Sequence, residues 1–160
     1  MKKRFYPSQQ DFTCKHCGNW VSVHPILSGV SNRNHCPYCL WSRHVDLFSA
    51  GDRLSACKGA MKPIGLTIKR QRKKYGDLLQ GELMLIHYCT ECGAVSINRL
   101  AADDDADRLL SVYEDSLHLE GEICRTLAGI GIFLIEEEHR VLVSQRITGT
   151  MIVVKGEVVR

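Results

Sequence analysis

Apolar residues in this chain come in short runs broken by polar turns, and the runs change character along its length. "FTCKHCGNWVSV" (12–23) reads as a short strand, a cysteine turn and a second strand. "HPILSGVSNRN" (24–34) gathers Pro, Gly, Ser and Asn and reads as loop. "LFSAGDRLSACKGAMKPIGLTI" (47–68) is punctuated by Gly51, Gly59 and Gly65 and reads as turn-rich. The basic "IKRQRKKYGDLLQGE" (68–82) reads as a loop or hairpin tip. "LMLIHYCTECGAVSINRL" (83–100) alternates apolar and polar residues around a cysteine turn, a second strand–turn–strand signal. "AADDDADRLLSVYEDSLHL" (101–119) predicts a helix over about 103–118. Acids crowd its start, where the helix dipole favours them, and Leu109, Leu110, Tyr113 and Leu117 form an apolar stripe.

Beyond that helix, "GIFLIEE", "RVLVSQ" and "TMIVVKGEVVR" predict short strands in a small hairpin or meander. The expected fold is a small α+β protein stabilised by zinc, with ribbon-like knuckles on short antiparallel hairpins and a small β-rich C-terminal extension. The expected organisation is a basic arm at 1–11, a cysteine-rich domain at 12–108 and an extension at 109–160. The longest apolar run, Leu127–Ile135, contains two glycines and falls well short of the ~18 residues of a membrane span. "MKKRFYPSQQ" is basic with no apolar stretch after it, unlike a secretory signal, so the expected location is cytoplasmic.

Cysteine usage changes the picture most. The chain has 8 cysteines in 160 residues, six of them in the C-x-x-C pairs Cys14/Cys17, Cys36/Cys39 and Cys89/Cys92. In a reducing compartment such clusters read as metal ligands rather than disulfides. Structural zinc takes four N or S ligands in a tetrahedron, and a C-x-x-C turn supplies half of one. Three pairs and Cys57 make seven ligands, so one more closes two sites. His44 is the candidate, because Cys36-x2-Cys39-x4-His44 repeats the opening spacing of a zinc knuckle; His35 and His87 are its rivals. The predicted ligand set is Cys14, Cys17, Cys36, Cys39, His44, Cys57, Cys89 and Cys92, for two Zn2+ per chain.

Two partitions stay open. A nested one joins Cys14/Cys17 to Cys89/Cys92, favoured slightly because "CKHCG" and "CTECG" are matching turns. A sequential one joins Cys14/Cys17 to Cys36/Cys39, a recognised zinc spacing. Cys124 is expected in the core.

"NRNHCPYCLWSRHVD", "GDRLSACKGAMKPIG", "HYCTECG" and "NRLAADD" resemble the RNHCP domain, a bacterial family named for the string at Arg33–Pro37. The resemblance spans Phe12 to Asp105. It implies a compact domain with three cysteine pairs, similar to a zinc ribbon, and it supplies little mechanism. The tail from about Ser111 lies outside it.

Charge narrows the function. Residues 1–99 carry fifteen Lys and Arg against six Asp and Glu, and residues 100–160 carry six against twelve. A net +9 beside a net −6 points to a polyanion partner for the first part. The candidate contacts are Lys62, Lys69, Arg70, Arg72, Lys73 and Lys74, beside the arm Lys2-Lys3-Arg4. Tyr6, Trp20, Trp41 and Tyr75 could stack bases, although core packing is the plainer expectation for Trp20 and Trp41. "GDR" and "NRLAADD" read as polar staples, with Arg53 beside Asp52 and Arg99 before Asp103 and Asp104. The leading expectation is a module that docks on RNA, the ribosome or the transcription machinery. One alternative is a protein-interaction module using the acidic, apolar tail. The other is a zinc hydrolase, which needs an open coordination position; eight ligands for two metals leave none, and no catalytic motif stands in the chain.

Overall fold

The computed structural model describes residues 10–48, 51–69, 81–149, 153–154 and 157–158. The chain runs β1 (Phe12–Thr13), β2 (Trp20–Val21), α1 (Pro25–Ser28), β3 (Ser42–Arg43), β4 (Ala60–Lys69), β5 (Glu82–Cys89) and β6 (Val95–Arg99). It continues through α2 (Ala106–Ser116), α3 (Gly121–Gly129), a 3-10 turn (Glu137–His139), α4 (Arg140–Thr148), β7 (Val153–Val154) and β8 (Glu157–Val158). The α+β reading holds.

Among the described residues three antiparallel sheets form: β1–β2, β3–β4–β5–β6 and β7–β8. The central sheet is built on β4 and β5, paired from Met61↔Cys89 to Lys69↔Glu82. Register slips between Pro63 and Gly65, leaving Ile64 as the extra residue of a bulge. The bulge sends neighbours to different faces. Leu66 packs with Leu83, Leu85, Leu109, Tyr113 and Val143. Ile64 packs with Ile86 and Leu127, beside Val95 and Ile97. The sheet is thus apolar on both faces, with α2 and α4 covering one and the α3 segment the other. Gly65 makes this closure possible, because a Cβ there would stand 2.5 Å from Leu134 Cδ2 and 3.1 Å from Ser116 Cβ.

Two sequence expectations are corrected. Ala60–Ile68, at the end of the segment read as turns, lies in β4, the longest strand among the described residues: its glycine and proline sit at the bulge, where they cost little. The extension is mainly helical up to residue 149. "RVLVSQ" lies in α4, where Val143 and Ile147 share a helix face against the core. Burial overrides the strand preference of its β-branched residues. "GIFLIEE" is no regular strand, but it runs beside β4: Ile135 N–H donates to Leu66 O at 3.2 Å, and Thr67 Oγ1 donates to Phe133 O at 2.7 Å. The predicted helix stands as α2, capped by Asp105, whose carboxylate accepts Arg108 N–H. The boundary expected at 108/109 falls inside α2. Among the described residues no helix is long and apolar enough to cross a membrane.

Candidate metal centres

Three segments of the chain make the same turn. In each, the first cysteine's N–H donates to the carbonyl five residues on, and its own carbonyl accepts the N–H four residues on. The donors to Asn19, Trp41 and Ala94 carbonyls are Cys14, Cys36 and Cys89, at 2.8, 3.0 and 2.8 Å. Gly18, Leu40 and Gly93 N–H close the turns at 2.9, 2.8 and 3.0 Å. Those closing residues adopt left-handed backbone, φ 78°, 65° and 76°, and Lys58 does the same at φ 50° just after Cys57. Every half-site therefore ends on a left-handed residue directly after its last cysteine, and only two of the four are glycine. The turns aim amides at sulfur: Tyr38 and Cys39 at Cys36, Glu91 and Cys92 at Cys89.

The half-sites meet in two quartets, Cys14/Cys17/Cys36/Cys39 and His44/Cys57/Cys89/Cys92, with ligand atoms within 4.8 Å of one another. In the first, Cys14 and Cys39 sulfurs are 3.6 Å apart, as are those of Cys17 and Cys36. In the second, Cys57 and Cys89 sulfurs lie 3.7 Å apart and Cys92 Sγ lies 3.3 Å from His44 Nδ1. A zinc tetrahedron with Zn–S of ~2.3 Å has S···S edges of roughly 3.8 Å and S···N edges of about 3.6 Å. Both quartets fit one zinc ion each, two per chain. Each offers four protein ligands, so a zinc ion held by all four would have no vertex for water, and thiolate donation would weaken it as a Lewis acid.

The sequential partition is the one observed, and the nested one is overturned. "CKHCG" and "CTECG" are alike because each site repeats the same local turn, not because they face each other. β3 and β4 explain the second site. Their pairing at Arg43↔Ala60 puts His44 and Gly59 side by side, His44 N–H donating to Gly59 O at 2.8 Å. Gly59 has to be glycine, since a Cβ would stand 2.6 Å from Glu91 Cγ and 3.0 Å from Cys89 Sγ.

Burial opposes ionisation of Cys17, but the backbone and side-chain amides of Asn19 outweigh it and bring its thiol down to about 6. Burial pushes Cys36 up to about 11 and raises Cys39 too. In the second site burial opposes Cys89, yet the Cys92 and Glu91 amides bring it down to about 7. Cys17 in one quartet and Cys89 in the other are thus eased toward the thiolate that a metal would require.

The two rival histidines have other partners. His87 is buried; Asn98 Nδ2 donates to its Nδ1 at 2.8 Å, so Nε2–H donates to Leu40 O at 2.7 Å. Burial, with His35 nearby, holds its pKa down to about 3, so it is neutral. His35 Nε2 meets Asp104 at 2.8 Å.

Around the first metal site the motif Arg33–Pro37 closes on residues 98–105. Arg33, 1% exposed, forms a two-pronged pair with Asp103, its NH1 donating to Oδ2 at 2.9 Å. It also donates to the carbonyls of His35 and Ser22. Asn34 donates to Asn98 at 2.9 Å, and Asp105 N–H donates to Pro37 O at 2.9 Å. The staple foreseen in "NRLAADD" exists, with a different cation: Arg33 takes Asp103, while Arg99 pairs with Glu82. Sequence reasoning missed this, although the signal was an arginine and a histidine flanking a ligand cysteine in one motif and consecutive aspartates in the other. Asp52 accepts the Leu47 and Phe48 amides, and Arg53 turns to a cleft instead.

Of the predicted nucleic-acid residues, Lys62 and Lys69 are exposed near the two ends of β4. Arg70, Arg72, Lys73 and Lys74, with the arm and Tyr75, lie outside the described residues. Trp20 is 62% exposed rather than core, and Trp41 stacks on His16 with centroids 4.1 Å apart and planes 8° from parallel. Cys124 is half-buried in α3.

A family model described as RNHCP domain matches residues 9–110. No curated protein and no solved structure matches the chain.

Proposed function

This chain belongs to the RNHCP domain family, and on that footing we propose that it is a structural-zinc module that docks on nucleic acid or a ribonucleoprotein through a basic face. The observation that carries the reading is the separation of charge from chemistry. Both metal centres are closed by four ligands, so nothing in them is left to react. The positive charge lies in residues 1–99, which hold all eight ligands and nine more cations than acids. Zinc then acts as a frame, and the cations it positions do the binding. Lys62 and Lys69 stand seven residues apart on one strand, roughly 23 Å, a span suited to a polyanion backbone rather than a small ligand. Much of the tail's apolar surface is spent on the core, where Leu127, Ile135 and Val143 are buried, and its exposed large apolar side chains among the described residues are Ile130 and Phe133.

The test is binding of the full chain to a generic RNA at rising salt. Affinity should fall linearly on a log–log plot, with a slope of about −0.7 for each phosphate neutralised on a single strand. Absent or salt-insensitive binding would overturn the reading.

A further inference from the structure

We propose that the cleft between the two metal centres is a binding site for single-stranded nucleic acid, taking one unpaired base on the His16–Trp41 stack and phosphates on the surrounding cations. This rests on the nucleic-acid reading above and assigns it a site that the charge pattern alone does not locate.

The cleft, about 710 Å³, is lined by both metal-held turns: Lys15 and His16 come from the Cys14–Cys17 turn, and Lys58 follows Cys57. Trp41 and Arg43 enter from the start of the sheet and Arg53 from the loop before Cys57. Among the described residues no aspartate or glutamate lines it. Lys15, Arg43, Arg53 and Lys58 are all exposed, and none has an ion-pair partner among the described residues. Arg43 is steadied by donating to Lys58 O at 3.2 Å, which ties one wall to the other. Two of the four, Arg53 and Lys58, hold left-handed backbone that disfavours side chains, φ 57° and 50°. Glycine would suit both positions better, so the cation at each carries a local backbone cost.

The aromatic pair decides the ligand class. His16 is exposed, and its ring lies flat on the half-buried Trp41. A flat apolar platform ringed by unpaired cations matches the face of a base and the phosphates on either side of it. A base within a duplex has both faces covered by its neighbours, so the platform selects unpaired strands. The competing role for the cations is to offset the metal centres, since a four-thiolate zinc is left dianionic and the three-thiolate, one-imidazole site monoanionic. The two roles separate experimentally, because only the second makes zinc retention depend on them.

The experiment uses the full chain loaded with zinc. A labelled twelve-nucleotide single-stranded RNA, the same sequence as a duplex, and AMP are titrated by anisotropy or competition, and zinc is counted in every variant. The single strand should bind more tightly than the duplex, and AMP should not compete at micromolar levels. His16→Ala should weaken single-strand binding roughly tenfold with both zinc ions retained. The triple variant R43Q/R53Q/K58Q should lower the salt slope by about 2. In Trp20→Phe protein, the single strand should quench the fluorescence of Trp41. If both cleft variants bind like the parent while neutralising Lys69–Lys74 removes binding, the cleft proposal fails and the broader reading stands. If the parent binds no nucleic acid, both fail. Zinc loss from the triple variant with unchanged binding by His16→Ala would assign the cations to the thiolates and overturn the site.

Discussion

Four residues set the metal sites without touching a metal. Gly18, Leu40, Lys58 and Gly93 follow the last cysteine of each half-site in left-handed backbone. Among the described residues nothing lies within 4 Å of a Cβ built on Gly18, so Gly18→Ala tests backbone strain. It should cost about 1 kcal/mol, read as roughly fivefold weaker zinc in a chelator competition. Lys58→Gly should gain a similar amount of stability in the same assay. Equal affinities in all three proteins would contradict the assignment. Arg33 makes a second residue-scale case. Its removal leaves the buried carboxylate of Asp104 without the cation 3.7 Å away, and strips Asp103 of both prongs. Arg33→Ala should destabilise by about 3–5 kcal/mol in denaturant unfolding, and Arg33→Lys should rescue little of it, because an ammonium cannot reproduce the two-pronged geometry. These residues also show what the sequence could express. Six of the eight candidate ligands were legible because C-x-x-C spacing is local chemistry, whereas Cys57 and His44 rested on counting, with His35 and His87 as rivals. Leu40 and Lys58 were not, because nothing in a leucine or a lysine announces positive φ.

At the scale of elements, the strand–turn–strand signals around Cys14 and Cys89 and the helix opening at Asp105 were legible, since each rests on local periodicity or capping. The extension misled because its β-branched residues were read by propensity, whereas their partners lie far away on the sheet. Ile123 and Leu127 sit four apart, a helical spacing, and they meet Ile64 and Ile86 from across the chain. β4 was missed for the opposite reason. Its Gly and Pro look like breakers, yet they serve a bulge that lets the sheet bury both faces. Leu127, 1% exposed, is the anchor of the α3 face. Leu127→Ala should cost about 2–4 kcal/mol while two zinc ions stay bound. Loss of less than 1 kcal/mol in thermal or denaturant unfolding would show that the extension does not complete the core.

For the whole molecule, the pairing of half-sites is the property that local reading could not reach. Two identical turns suggested mutual partners, but topology decides partners. The short β3 pairs with β4 and carries His44 to Cys57, and the β4–β5 hairpin brings Cys89 and Cys92 to both. The first quartet closes within residues 14–39, and the second spans 44–92. Two frames in series therefore flank one cleft, and each holds one of its walls.

That arrangement is tested most directly by cobalt substitution in C89S/C92S protein, where the number and kind of ligands are read from the visible spectrum. The sequential pairing predicts one retained cobalt with the spectrum of four thiolates, from Cys14, Cys17, Cys36 and Cys39. A retained cobalt with three thiolates and one imidazole would mean that Cys36, Cys39, His44 and Cys57 share a metal, and would contradict it.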